Sequence, residues 1–183
     1  MTYEIDIAGK KRHLPLCKLT DELYIGGFVM FGDVEITEHS ARELLKRIPE
    51  FDIIICPEAK AIPLAYEMSR QSGKEYLVAR KKAKAYMTDT FTVNVRSITT
   101  AGVQTLILDK LEAEKLRGKR VLTVDDVIST GESLRALEEL VKAAEGNIVA
   151  KVAVLAEGKA ADRKDITILQ RLPLFNADGT PKN

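Results

Sequence analysis

The chain is 183 residues long, 45% hydrophobic and 30% charged, with 28 Lys and Arg against 27 Asp and Glu. That size and composition fit one globular domain with its own core, and the near-balance of charge argues against a protein whose main work is coating nucleic acid or a membrane. Two scattered cysteines, Cys17 and Cys56, and two isolated histidines, His13 and His39, argue against a disulfide framework and a structural zinc site. No apolar run approaches the ~20 residues that span a bilayer, and the N-terminus lacks the apolar stretch of a signal peptide, so the expected location is cytoplasmic.

In chain order, residues 3–7 and 11–16, split by Gly9, read as a hairpin. Residues 23–31 are apolar around Gly26 and Gly27. Residues 37–48 read as a helix with Ala41, Leu44, Leu45 and Ile48 on one face, stopped by Pro49. Residues 52–56 (DIIIC) are a continuous apolar run, the pattern of a strand buried on both faces of a parallel sheet. Residues 62–71 read as a helix with Gly73 just past its end, and 76–79 as a short strand. Residues 120–124 are another strand. Residues 134–145 read as a helix with Leu134, Leu137, Val141 and Ala144 on one stripe and Gly146 at its C′ position, followed by a strand at 148–155. Strand and helix in alternation predict an α/β domain with a parallel sheet of about five strands flanked by helices. Between residues 80 and 118 the pattern changes. There, 91–98 and 103–108 read as two strands joined by a turn at 99–102, an insertion at the edge where α/β proteins place ligands. The first two residues and the tail 176–183, rich in Gly, Pro, Asn and Asp, read as floppy ends.

The most informative stretch is VLTVDDVISTGES, residues 121–133. An apolar strand ends in Asp125 and Asp126, a short loop rich in hydroxyl side chains surrounds Gly131, and a helix follows. The free N–H groups and positive end of a helix N-terminus suit a phosphate, and Ser129, Thr130 and Ser133 add hydroxyl donors. Gly131 lets the backbone approach closely. The acid pair suits vicinal sugar hydroxyls or a divalent cation rather than phosphate itself. The ligand these residues imply is a sugar 5′-phosphate with free hydroxyls, accompanied by Mg2+. The chain has no GxGxxG dinucleotide fingerprint and no GK[ST] Walker loop.

Residues 121–133 resemble the 5-phosphoribosyl-1-pyrophosphate (PRPP) signature of type I phosphoribosyltransferases. The match is tight at Asp125, Asp126, Thr130, Gly131 and Ser133, and departs at Thr123, where an apolar residue is usual, and at Glu132, where purine members often carry glycine. Three further segments extend the resemblance. CPEAKAI, from Cys56 to Ile62, is similar to the family's pyrophosphate loop, with Lys60 in place of arginine and Ala61 in place of glycine. ARKK, from Ala79 to Lys82, resembles the element that leads into the flexible flap of purine-type members. FVMFGDV, from Phe28 to Val34, resembles the base-covering hood element of adenine and xanthine phosphoribosyltransferases, with Gly32 where a basic residue is usual.

The resemblance places the chain in the purine branch, most similar to adenine phosphoribosyltransferases and next to xanthine phosphoribosyltransferases. It implies a single domain over 1–183, with a hood from about 1–35 and 170–178 and a flap within 80–118. It implies Mg2+-dependent transfer of phosphoribosyl from PRPP to a purine base, adenine first, giving AMP and pyrophosphate in purine salvage. Xanthine or hypoxanthine/guanine transfer is the alternative, and a PRPP-sensing regulator without catalysis is a third. It carries over Asp125 and Asp126 as catalytic residues and Mg2+ ligands, directly or through water. Asp125, Asp126, Val127, Ile128, Ser129, Thr130, Gly131, Glu132 and Ser133 become PRPP-binding, and Ala59, Lys60, Arg80 and Lys81 pyrophosphate-binding. Phe31, Gly32, Asp33 and Val34 become base-binding. A homodimer is implied by the family; Tyr86, Lys84 and Glu157 remain without an assigned role.

Overall fold

The apolar runs become the strands of one fully parallel sheet in the computed structural model, which describes residues 1–96 and 103–182. In chain order the elements are β1 (Thr2–Ile7), β2 (Lys10–Thr20), β3 (Leu23–Gly26), α1 (Val34–Leu45), β4 (Ile53–Pro57), α2 (Ile62–Ser72), β5 (Tyr76–Ala79), β6 (Thr90–Arg96), β7 (Val103–Asp109), α3 (Lys110–Glu114), β8 (Arg120–Ile128), α4 (Glu132–Ala143), β9 (Asn147–Glu157), a 3-10 turn (Gly158–Asp162), β10 (Thr167–Leu172), β11 (Leu174–Phe175) and β12 (Pro181–Lys182).

The main sheet has the order β10-β9-β8-β4-β5, with every neighbouring pair parallel. All five residues of β4 are buried, as expected of a strand covered on both faces. Ile54, Cys56, Leu122 and Val124 face one core, into which α1 and α2 put Ile36, Ala41, Leu44, Leu64 and Met68. Ile53, Ile55 and Val121 face the other, which α4 closes with Leu137, Leu140 and Val141 and the β6–β7 ribbon with Val95, Leu106 and Leu108. A second, antiparallel sheet runs β1-β2-β3-β11-β12. Its buried anchor is Phe175, edge-to-face on Tyr3 at 4.9 Å. No helix among the described residues is long and apolar enough to cross a membrane.

Several expected boundaries shift, each for a physical reason. Helix α1 occupies 34–45 rather than 37–48, because the Asp33 carboxylate caps it by accepting the Ile36 N–H. Its last turn tightens, with Arg47 N–H donating to the Leu44 carbonyl, ahead of Ile48, which Pro49 steers away from helical geometry. Strand β8 does not stop before the acids but continues through Asp125 and Asp126 to Ile128, since β9 is long enough to pair Asp125 with Ala153 and Ile128 with Ala156. Helix α4 begins at Glu132, two residues earlier than expected. The left-handed residue at its far end is Glu145, with φ of 59°, not Gly146. The Glu145 and Gly146 N–H groups bond the Lys142 and Val141 carbonyls, which closes a Schellman-type end.

The tail 176–183 is not floppy throughout: Pro181–Lys182 pairs with β11, which in turn pairs with β3 through Phe175 and Tyr24. Thr2 likewise belongs to β1. Helix α3 was not anticipated, although Asp109 and Glu112 form a complete capping box readable as D-x-x-E. The ribbon strands pair antiparallel as expected, while the joining turn at 99–102 and the last two residues of the 91–98 strand lie outside the described residues.

Gly146 is a glycine for space. A Cβ there would stand 2.8 Å from Val141 Cγ1 and 3.2 Å from the Leu116 carbonyl oxygen. Gly146→Ala is therefore expected to destabilise the protein by about 1–3 kcal/mol through overpacking, measured as a lower urea midpoint at an unchanged denaturant slope.

Candidate active site

Three loops leave the same edge of the main sheet, after β4, β5 and β8. Because these strands are parallel and adjacent in the order β8-β4-β5, the loops stand side by side, at the edge where open α/β sheets bind ligands.

The loop after β8 opens from the acid pair. Asp125 and Asp126 are buried, 8% and 3% exposed. Asp125 Oδ1 accepts the Asp126 N–H at 2.9 Å. Burial, and then the negative charge of Asp126, push the Asp125 carboxyl well above the usual range. The answering charge comes from the neighbouring loop: Lys60 Nζ is 2.9 Å from Asp126 Oδ2.

Beyond the acids, residues 127–134 line a small concavity together with Asp125. Ser129 and Thr130 are exposed, and Gly131, Glu132 and Ser133 half-buried. Gly131 takes φ of 78° immediately before α4, a conformation glycine adopts without strain. It offers no side chain to cap the helix, and the first-turn Glu132 N–H bonds Thr130 Oγ1 at 3.4 Å instead. Ile128 is 2% exposed and packs with Leu134, Ala153 and Ala156, so only its main chain can face a ligand.

The loop after β4 holds Glu58, Ala59 and Lys60, with a cis peptide between Glu58 and Ala59. Ala59 and Lys60 are exposed. Helix α2, which follows, also starts without a side-chain cap. Glu58 was not singled out in the sequence, yet it organises the basic cluster. Its carboxylate accepts the Lys81 N–H at 3.1 Å and pairs with Lys84 Nζ at 3.1 Å, with Arg80 Nη1 4.0 Å away. The Lys81 N–H and then Lys84 hold its carboxyl below the usual range. The sequence signal was present as an acid two residues after the DIIIC run, but its partners lie more than twenty residues on. Arg80 exchanges both main-chain hydrogen bonds with Ile107, at 2.8 Å each, tying β5 to the ribbon. A cleft then runs between Pro57, Lys81, Ser133 and the ribbon residues Gln104, Thr105 and Leu106.

The other predicted residues sit apart. Phe31 is 54% exposed and Val34 75% exposed. Gly32 has φ of 80° and open space where a side chain would stand. The Asp33 carboxylate is committed: Arg12 Nε and Nη2 bond its two oxygens at 2.7 and 2.9 Å, and it caps α1. Among the described residues no hydrogen bond or ion pair joins Phe31–Val34 to the acid pair. Glu157, at the end of β9, is half-buried, and burial raises its carboxyl against the opposing pull of Lys60. Tyr86 is 65% exposed. No group of three or more His, Cys, Asp or Glu among the described residues could hold a metal ion by itself.

Residues 33–176 match the phosphoribosyl transferase domain family. The chain is 34% identical to adenine phosphoribosyltransferase of Petrotoga mobilis over 144 residues, covering 70% of this chain and 76% of that one. It is 28% identical to hypoxanthine/guanine phosphoribosyltransferase of Methanothermobacter thermautotrophicus over 153 residues, covering 81% of this chain and 76% of that one. Its fold is similar to the crystal structure of adenine phosphoribosyltransferase from Thermoanaerobacter pseudethanolicus, with a TM-score of 0.65 and 23% identity, covering 78% of this chain and 84% of that one.

The buried acid pair has a consequence for stability. A carboxyl raised in the fold binds its proton more tightly folded than unfolded, so its contribution is full below the ordinary carboxylate pKa and fades as pH rises from there through the raised value. Asp125→Asn removes that loss. It is expected to raise the thermal midpoint of the ligand-free protein at pH 7.5 and to leave it little changed at pH 4, with a gain on the order of 1–3 kcal/mol. Calorimetry at the two pH values checks this.

Proposed function

The chain belongs to the phosphoribosyl transferase domain family, a transferase of purine-salvage type, and on that premise we propose that it catalyses Mg2+-dependent transfer of phosphoribosyl from PRPP to adenine. The products are AMP and pyrophosphate. The observation that carries this reading is the 2.9 Å approach of Lys60 to Asp126. It sets the loop after β4 against the loop after β8, as a substrate joining a ribose to a pyrophosphate requires.

In this reading the uncapped start of α4 and the hydroxyls of Ser129, Thr130 and Ser133 receive the 5′-phosphate. Asp125 and Asp126 accept hydrogen bonds from the ribose 2′- and 3′-hydroxyls, leaving their negative charge near the anomeric carbon as it becomes cationic. Asp125, made more basic by burial, is suited to accept a proton from the purine nitrogen. Lys60, Arg80 and Lys81, with the main chain at Ala59, hold the leaving pyrophosphate. Lys60 supplies charge without the planar fork of an arginine. The β6–β7 ribbon, with Tyr86 before it, serves as the flap that excludes water.

The donor set fits Mg2+. Two adjacent buried carboxylates, with no third His, Cys, Asp or Glu grouped with them among the described residues, suit a hard cation that takes its remaining oxygens from substrate phosphates and hydroxyls. Asp125 and Asp126 would hold it directly or through water. When bound it would neutralise charge on the pyrophosphate.

The hood is the antiparallel sheet with Phe28–Val34. Phe31 is exposed enough to lie against a base, and contacts from residues 32–34 come from main chain, because the Asp33 side chain is occupied. A homodimer in the cytoplasm is the expected setting. The second reading, hypoxanthine/guanine transfer, is favoured by the similarity to the Methanothermobacter enzyme over most of this chain.

Pyrophosphate release from Mg2+ and PRPP, measured with adenine, guanine, hypoxanthine, xanthine, orotate and uracil in turn, is expected with adenine and to cease on addition of EDTA. Release with hypoxanthine and guanine instead would establish the second reading. PRPP binding without release from any base would make the protein a sensor. Asp126→Ala, which removes charge-assisted sugar contacts of about 1.5–3 kcal/mol, is expected to weaken PRPP binding at least roughly tenfold while the circular dichroism spectrum is retained.

A further inference from the structure

Arg163 lies just past the 3-10 turn, in a stretch with no part in the family motifs. Its Nε and Nη2 bond both oxygens of Asp165, at 2.9 and 2.7 Å. Asp165 is held in turn by Lys151, whose Nζ is 2.9 Å away, and Lys151 also pairs with Glu138 on α4. The guanidinium is thus fixed in orientation by a chain of ion pairs anchored to β9 and α4. Its side chain is only 32% exposed.

The third nitrogen, Nη1, makes no hydrogen bond among the described residues. It lies 2.9 Å from the point where a Cβ on Gly131 would stand, and no other described residue beyond Gly131's chain neighbours comes within 4 Å of that point. Gly131 is therefore a glycine twice over, for its left-handed φ and for the room it leaves the guanidinium.

Asp165 and Glu138 support the guanidinium charge, so a charged donor stands beside the loop in the free protein. The start of α4 carries the positive end of a helix dipole and N–H donors without a side-chain cap. A cation whose Nη1 makes no hydrogen bond among the described residues stands against that same end, beside the first-turn acid Glu132. Asp165 does not answer the need, since it engages the opposite edge of the guanidinium. A single anion at the loop would satisfy both the helix N–H groups and Nη1.

We propose that Arg163 is a further specificity-determining residue of the 5′-phosphate site, donating from Nη1 to the phosphate monoester held by residues 129–133, with Asp165 as its positioning residue. This rests on the phosphoribosyl reading of that loop. It gives the site a fixed side-chain cation against the dianion, which backbone donors and hydroxyls alone do not supply. The cation also favours a sugar phosphate over an unphosphorylated sugar.

The test is binding by titration calorimetry of ribose 5-phosphate, pyrophosphate and inorganic phosphate to the full chain and to Arg163→Gln and Arg163→Lys, with melting curves for each. The expected result is ribose 5-phosphate affinity at least roughly tenfold weaker in Arg163→Gln, pyrophosphate affinity unchanged, and partial recovery in Arg163→Lys. Unchanged ribose 5-phosphate binding in Arg163→Gln overturns the proposal. So does a parallel loss for both ligands with a lowered melting temperature, since that marks a structural strut. If the unaltered protein binds inorganic phosphate but neither PRPP nor ribose 5-phosphate, and Arg163→Gln weakens the phosphate, the anion contact stands and the phosphoribosyl reading falls. If the unaltered protein binds none of the three, both fall.

Discussion

Asp125 and Asp126 put two neighbouring carboxylates on a strand that is closed off from solvent. Their mutual repulsion and lost hydration must be answered by charge from elsewhere in the chain. The raised carboxyl of Asp125 is one response, since burial and the charge of Asp126 make it a stronger base. Lys60 is the other, reaching from the next strand's loop to Asp126. Both responses depend on the sheet being parallel and on β4 lying beside β8. That register brings the two loops to one edge and makes a cation from one the natural partner of an acid from the other.

The same edge gathers other groups whose needs the free protein meets incompletely. Helices α2 and α4 both begin without a side-chain cap. Arg80 and Lys84 turn their side chains, and Lys81 its main-chain N–H, to the single carboxylate of Glu58. Glu58 keeps these cations from repelling one another, and being only one acid it leaves positive charge in excess beside the uncapped start of α2. A ligand with several phosphates is the complement of that arrangement, as sugar hydroxyls are of the acid pair. The stability that the edge forgoes is supplied below it, by two apolar cores that sandwich the sheet. A site that carries uncapped helix starts and a buried pair of acids is tolerable only on so well packed a support.

The strands were legible where burial on both faces left an unbroken apolar run, as in DIIIC at β4 and YLVA at β5. The phosphate loop was legible because one short segment carries the strand end, the glycine and the helix start together. Boundaries failed where a distant partner decides them. Asp33 can cap α1 because Arg12, from a strand of the other sheet, holds its carboxylate. Strand β8 outruns its apolar run because β9 continues the ladder, pairing Asp125 with Ala153, Val127 with Leu155 and Ile128 with Ala156. The tail 176–183 looked like a disordered end by composition, yet Pro181 and Lys182 pair with Phe175 and Leu174 of β11, and Phe175 is fully buried.

By itself, then, the amino-acid order determined the alternation of strands and helices, the parallel sheet and the acid pair followed by a phosphate-binding turn. Each of these is written in side chains within a dozen residues of one another and acts through local periodicity or backbone geometry. Only the tertiary structure decided that Lys60 answers Asp126, that Glu58 gathers the cations after β5, and that Arg163 stands against Gly131. Those contacts join residues far apart in the chain, and Coulomb attraction and steric exclusion act on distance in space, which the fold sets and the spacing of letters does not record.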